Sequence, residues 1–255
     1  MGKERIAVLA MRAMQAIYVM LAVSLCVCLG FLPLEVLALC THDMRAYPLF
    51  LAVAVLCSPA LAAAFAVCRD HPALQARPHA SHTGERTPPW FARPYVAADH
   101  DAAVFGPFLR AWRSVWRRAC LVSAVYALAA GVVMCDVQWC SGTPVGALML
   151  PAAMVAGVLA VPAYAASLAL VVEYPRATLR AVLRNGVVLS VRRGLASVPT
   201  LLVAVAYAAM AVRAPWLVVP LGTGVVVLVA WSDAHWQTLP LLEQCRADER
   251  GKAHV

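Results

Sequence analysis

The chain has 255 residues, 63% hydrophobic and 13% charged, against about 25% charged in an ordinary soluble domain, and this composition excludes a soluble globule. Its formal net charge of +8 comes from 21 Lys and Arg against 13 Asp and Glu. These charges lie between apolar segments, an arrangement that follows from the preference of Lys and Arg for cytoplasmic loops and speaks for membrane topology rather than for nucleic-acid binding.

A helix needs about 20 apolar residues to cross a hydrocarbon core about 30 Å thick. Six segments approach or exceed that length and predict an all-α, polytopic membrane protein with six transmembrane helices, a single integral membrane domain over residues 1–255. Span 1 is read from Ala16 to Cys40. A basic start and an apolar run precede Val36-Leu37-Ala38-Leu39-Cys40, which looks like a lipoprotein cleavage box, but Leu39 occupies the position that needs a small residue, so an uncleaved helix is expected. Glu35 follows Pro33 near the outer end of this span. A charge at a helix centre costs about 2.5–3.5 kcal/mol on insertion scales, so Glu35 is expected to snorkel, cap a broken helix or face a polar cavity.

Span 2 runs from Pro48 to Cys68 and contains Pro59. Residues 69–104 read as a flexible cytoplasmic loop broken by Pro72, Pro78, Pro88, Pro89 and Pro94. Its histidines, His71, His79, His82 and His100, match no recognised ligand spacing, and no metal is expected. Over 105–119 the residues Phe105, Phe108, Leu109, Trp112, Val115, Trp116 and Ala119 recur at helical spacing, with Arg110, Arg113, Arg117 and Arg118 mostly on another face. This predicts an amphipathic interfacial helix that touches lipid headgroups or a partner subunit and feeds into span 3, Ala119 to Cys135. Cys135 and Cys140 flank a short outer loop that a disulfide can close; most other cysteines lie in spans and read as small apolar packing residues.

Span 4, Pro144 to Val172, carries Pro151 and Pro162. Such kinks serve packing, or free carbonyls to line a substrate path. After Pro175 a second amphipathic cytoplasmic helix is expected before span 5, with Arg176, Arg180 and Arg184 in i, i+4 steps and Leu179, Val182, Leu183 and Val187 facing away. Span 5 is read from Val187 to Val212, span 6 from Trp216 to Leu239, and 241–255 as a cytoplasmic tail. Asp233 and His235 point about 200° apart on a helix, too far to act as an acid–base pair, and Asp233 is expected to meet an Arg of a neighbouring cytoplasmic segment. All Lys and Arg except Arg45 and Arg213 fall at the termini, in the loops after spans 2 and 4, or, as Arg192 and Arg193, near the start of span 5 and counted with the loop after span 4. That bias predicts a multi-pass protein of the cytoplasmic (inner) membrane with both termini in the cytoplasm.

Three segments resemble the YesL family of bacterial integral membrane proteins: Ser58-Pro59-Ala60-Leu61-Ala62-Ala63-Ala64-Phe65; Pro107-Phe108-Leu109-Arg110-Ala111-Trp112-Arg113-Ser114-Val115-Trp116-Arg117-Arg118-Ala119; and Thr178-Leu179-Arg180-Ala181-Val182-Leu183-Arg184-Asn185-Gly186 followed by Val198-Pro199-Thr200-Leu201-Leu202. Ser58 stands where that family favours Gly, and Leu61 where it favours Thr. The resemblance implies an integral membrane domain without catalytic residues and an accessory role in carbohydrate uptake, beside a sugar transporter complex. The residues themselves assemble no nucleophile, base and oxyanion donor, so no enzyme and no cofactor is expected. Contact with lipids or a partner falls to Phe108, Arg110, Trp112, Arg113, Trp116, Arg117, Arg180 and Arg184. The alternatives are a small independent permease, with a path near Glu35, Pro59, Pro151 and Pro162, and a structural scaffold; a homo-oligomer stays open.

Overall fold

The computed structural model describes residues 2–41, 46–74, 94–95, 103–140 and 143–253, and every regular element among them is helical. The helices are α1 (Gly2–Cys40), α2 (Tyr47–Asp70), α3 (Phe105–Cys140), α4 (Pro144–Glu173), α5 (Leu179–Arg192), α6 (Val198–Arg213) and α7 (Pro215–Ala253), with single 3-10 turns at Pro72–Leu74 and Gly194–Ser197. Lipid offers no partner to a peptide group, so a crossing segment must satisfy its backbone within its own helix. Among the described residues five stretches are long and apolar enough to cross: Ala10–Cys40, Tyr47–Asp70, Phe105–Cys140, Met149–Glu173 and Trp216–Leu239. The chain is an all-α, multi-pass membrane protein. Two helix starts follow from local chemistry. Thr143 accepts the Gly146 N–H ahead of Pro144, and Thr178 accepts the Ala181 N–H ahead of Leu179, each satisfying an amide without a helical acceptor.

The helices pair α2 with α3, α1 with α2 and α7, and α6 with α7, while α4 touches α2, α3, α5, α6 and α7. Burial is uneven along them. The buried residues of α2 run from Cys57 to Arg69, those of α3 from Pro107 to Ser123, and those of α4 and α7 gather between Pro162 and Glu173 and between Gly224 and Thr238. The other ends are open, with Leu128, Met154, Leu202 and Val205 all more than 60% exposed. In lipid such side chains sit in a solvent as apolar as themselves, so their exposure costs little, and close packing by small residues supplies much of the association. Side chains at three glycines would collide across helix pairs: Gly30 with Ala60, Gly186 with Ser167, and Gly224 with the Met20 carbonyl.

Several expected boundaries move. Span 3 and the segment 105–119 form one continuous helix of 36 residues, about 54 Å long. The stripe Phe108, Ala111, Val115 and Ala119 is buried inside the protein, which corrects the placement of Phe108 and Val115 on a lipid-facing side. Span 5 does not run unbroken from Val187, because the chain turns at Gly194–Ser197 and α6 starts at Val198. Pro199 explains the break: a proline lacks the N–H that a continuing helix needs and fits a first turn. The loop expected from residue 69 begins later, since α2 reaches Asp70 and both Arg69 and His71 are buried. Most of that loop, with His79, His82 and His100, lies outside the described residues. The expected tail 241–255 continues α7 as helix to Ala253.

Gly224 tests the close approach of α1 and α7. Gly224→Ala places a methyl against the backbone of Met20 and is expected to lower thermal stability in detergent by about 1–3 kcal/mol. Gly157→Ala, with nothing within 4 Å, is expected to be neutral or slightly stabilising.

Candidate functional site

The last carbonyls of an α-helix have no N–H of their own helix to accept. In the last turn of α4 and in the junction that follows it, carbonyls receive arginines from two other helices. Arg69, on α2 and 8% exposed, donates from Nη1 to the Val172 carbonyl at 3.0 Å. Arg118, on α3, donates to the carbonyls of Tyr174 at 3.0 Å and Ala177 at 2.5 Å. Cations at this position also meet the negative end of the helix dipole. Arg69 is itself oriented by a bidentate pair with Asp70, at 2.6 and 2.9 Å. Asp70 accepts the Tyr95 N–H at 2.7 Å, the Tyr95 ring lies under the Arg69 guanidinium, and the Tyr95 hydroxyl meets Ser114 on α3 at 2.9 Å. Tyr95 is thereby fastened to α2 and α3 together.

Glu173, the last residue of α4, is fully buried. Its carboxylate meets His235 Nδ1 at 2.7 Å and accepts the Thr238 hydroxyl at 3.1 Å, both from α7. The His235 ring stacks on Trp231, which leans on Phe65 of α2. Two residues before His235, Asp233 accepts the backbone N–H of Thr200 at 3.0 Å and also its hydroxyl. A carboxylate from α7 therefore caps the start of α6. Asp233 was expected to meet an arginine; the α6 N-terminus supplies N–H donors and a favourable dipole instead. Gln237 donates to Ser197 at 2.9 Å, and Arg193 donates to the Trp236 carbonyl at 2.8 Å while stacking over its ring. The result is a polar layer at the Arg-rich ends of the bundle, able to fix five helices in register.

On the outward side of α3 the expected contact residues separate. Arg110, Arg113, Trp116 and Arg117 are exposed and Trp112 is partly so, whereas Phe108 is 4% exposed with its ring edge-on to Trp112. Leu109, Trp112, Arg113 and Trp116 line one surface groove of about 340 Å³, and Arg117 lies over the Trp116 ring at 5.5 Å. Arg180 and Arg184 are exposed on α5. The residues expected along a path are not gathered into one enclosed lining: Pro59 and Pro162 are buried, Pro151 is exposed and Glu35 is partly exposed. Cys135 and Cys140 carry free thiols. Both belong to α3, about 7.5 Å apart along its axis and about 140° around it, which a disulfide cannot bridge. Among the described residues no three His, Cys, Asp or Glu side chains come together as a metal site.

Arg69, Arg118 and Glu173 escaped the sequence reading as a site. Glu173 stood just past the end of span 4, and Arg118 was one arginine in a row. One signal was available: helical spacing puts Arg118 about 180° from the Leu109 side of α3, apart from Arg110, Arg113 and Arg117.

No family model, no curated protein and no solved structure matches the chain.

Two outcomes follow. Asp233→Ala removes the cap of α6 and is expected to cost about 0.5–2 kcal/mol, with Asp233→Asn retaining most of the stability, read from thermal unfolding of the purified protein. A thiol reagent is expected to label Cys135 and Cys140 without prior reduction; labelling of either only after a reductant would contradict the helical separation.

Proposed function

We propose that the chain is a non-enzymatic membrane protein with six crossings and both termini in the cytoplasm, which supports a transport system by contact rather than by chemistry. The observation that carries this reading is the division of the arginines. Arg69 and Arg118 turn inward and join helices, while Arg110, Arg113, Arg117, Arg180 and Arg184 stay outward on α3 and α5. A cationic surface beside a bundle whose interior is occupied by its own polar layer suits docking more than passage.

The six crossings are supported by helix direction. Met20 meets Gly224 and Cys28 meets Val219, so α1 and α7 are antiparallel and the start of α1 lies at the same end as the close of α7. Helices α1 to α4 alternate in direction, which favours a further crossing between Glu173 and Pro215. In α6, Thr200 lies beside Asp233 and Tyr207 beside Thr223, so α6 runs antiparallel to α7, which supports α6 as that crossing. Its 16 residues span about 24 Å, a short crossing that local bilayer thinning accommodates. The basic residues put the polar layer at the cytoplasmic side. The carbohydrate-uptake role rests on the YesL resemblance alone.

Purification of the tagged protein from its own membranes in mild detergent is expected to bring down a transporter permease or ATPase subunit in stoichiometric amount. Emergence alone, together with solute flux in liposomes, would overturn the reading in favour of an independent permease. A C-terminal reporter active outside the cell would overturn the topology.

A further inference from the structure

The groove on α3 has a definite depth in the membrane. Asp136, the only acidic residue of α3, marks the outer limit of the hydrocarbon, and about 20 residues are needed to cross it. Counting back from Asp136 puts Trp116 at the inner edge of the hydrocarbon, with Arg113 and Trp112 one turn further out among the headgroups. Around the helix, at about 100° per residue, the buried stripe Phe108–Ala111–Val115–Ala119 occupies one side. Leu109, Trp112 and Trp116 flank it, and Arg110, Arg113 and Arg117 follow on the side away from the bundle. An apolar wall thus meets a row of three outward cations at the level where acyl chains meet phosphates. No carboxylate of α3 lies within this segment to neutralise the row, and among the described residues Asp70 is engaged by Arg69 and the Tyr95 N–H.

We propose that the groove formed by Leu109, Trp112, Arg113 and Trp116, with Arg117 over the Trp116 ring, is a binding site for one anionic phospholipid. The tryptophans hold the upper acyl chain and the ester region, and Arg113 and Arg117 meet the phosphate and the headgroup charge. Charge complementarity and depth select this occupant. A soluble protein segment would have to enter the headgroup layer to reach Trp116, and a zwitterionic lipid would place a positive group next to the arginine row. The site rests on the membrane orientation given under Proposed function and shares Arg113 and Arg117 with the docking surface proposed there.

The test uses the full-length protein in nanodiscs of phosphatidylcholine containing a minor fraction of phosphatidylglycerol or phosphatidylcholine brominated high on the acyl chain. The difference in tryptophan emission between the unaltered chain and Trp116→Phe isolates Trp116. Brominated phosphatidylglycerol is expected to quench that component several-fold more than brominated phosphatidylcholine at equal fraction, and Arg113→Gln with Arg117→Gln is expected to abolish the preference. Equal quenching by the two lipids would overturn the site, because Trp116 would then be immersed in lipid without selection. Absence of quenching by either would also overturn it, placing the groove against protein or water. Because the discs contain no second protein, these results are read separately from co-purification.

Discussion

The carbonyl oxygens at the end of α4 need donors, and the chain brings them from other helices. Arg69 reaches the carbonyl of Val172 in the last turn of α4, and Arg118 reaches those of Tyr174 and Ala177 in the junction that follows, so satisfying the α4–α5 junction also fixes where α2 and α3 stand beside it. A charged donor on a carbonyl contributes about 1.5–3 kcal/mol when the geometry is good and the site is dry. The remaining polar contacts depend on that register. Glu173 can meet His235 and Thr238 only if α4 ends at the height of that turn of α7, and Asp233 can cap α6 only if α7 is held there.

The same constraint accounts for the uneven packing. In lipid the apolar halves of the helices gain little by touching each other, so directional contacts and close approaches of small residues decide where the bundle tightens. Polar groups are affordable at the headgroup level, where water and charge are near, and the basic residues collect there for topological reasons. Polar fastening and dense burial therefore fall at one end, and the opposite halves of α3, α4 and α6 are left to lipid. Interior contacts such as Ser123 with Tyr164 and Tyr126 with Ser167 continue the fastening at mid-depth on α3 and α4.

Much of this was legible in the sequence because apolar length is a strong signal. The positions of α1 to α4 and α7 follow from it, and so does the amphipathic character of 105–119. Two kinds of information were weaker. Whether an amphipathic stripe faces lipid or protein is not written in its spacing: Phe108 and Trp116 belong to the same aromatic run, yet the first is buried and the second exposed. Pro199 was visible, but an apolar stretch containing a proline is compatible both with a kinked crossing and with a fresh start, and contacts from Asp233 and Gln237 settle it as a start. The polar layer was hidden for a third reason. Arg69, Glu173 and Asp233 are distant in sequence, and each by itself reads as a residue at the end of a span.

Two adjacent arginines separate this account from one in which all the basic residues serve only topology. Arg118 holds the carbonyls of Tyr174 and Ala177 in the junction after α4, whereas Arg117 faces outward. Thermal unfolding of Arg118→Met and Arg117→Met in the same detergent is the comparison to make, since methionine keeps much of the stem and removes the guanidinium. The clamp predicts a loss of about 1.5–3 kcal/mol for Arg118→Met and a change within about 0.5 kcal/mol for Arg117→Met. Small and equal effects would mean that the end of α4 is held by something else.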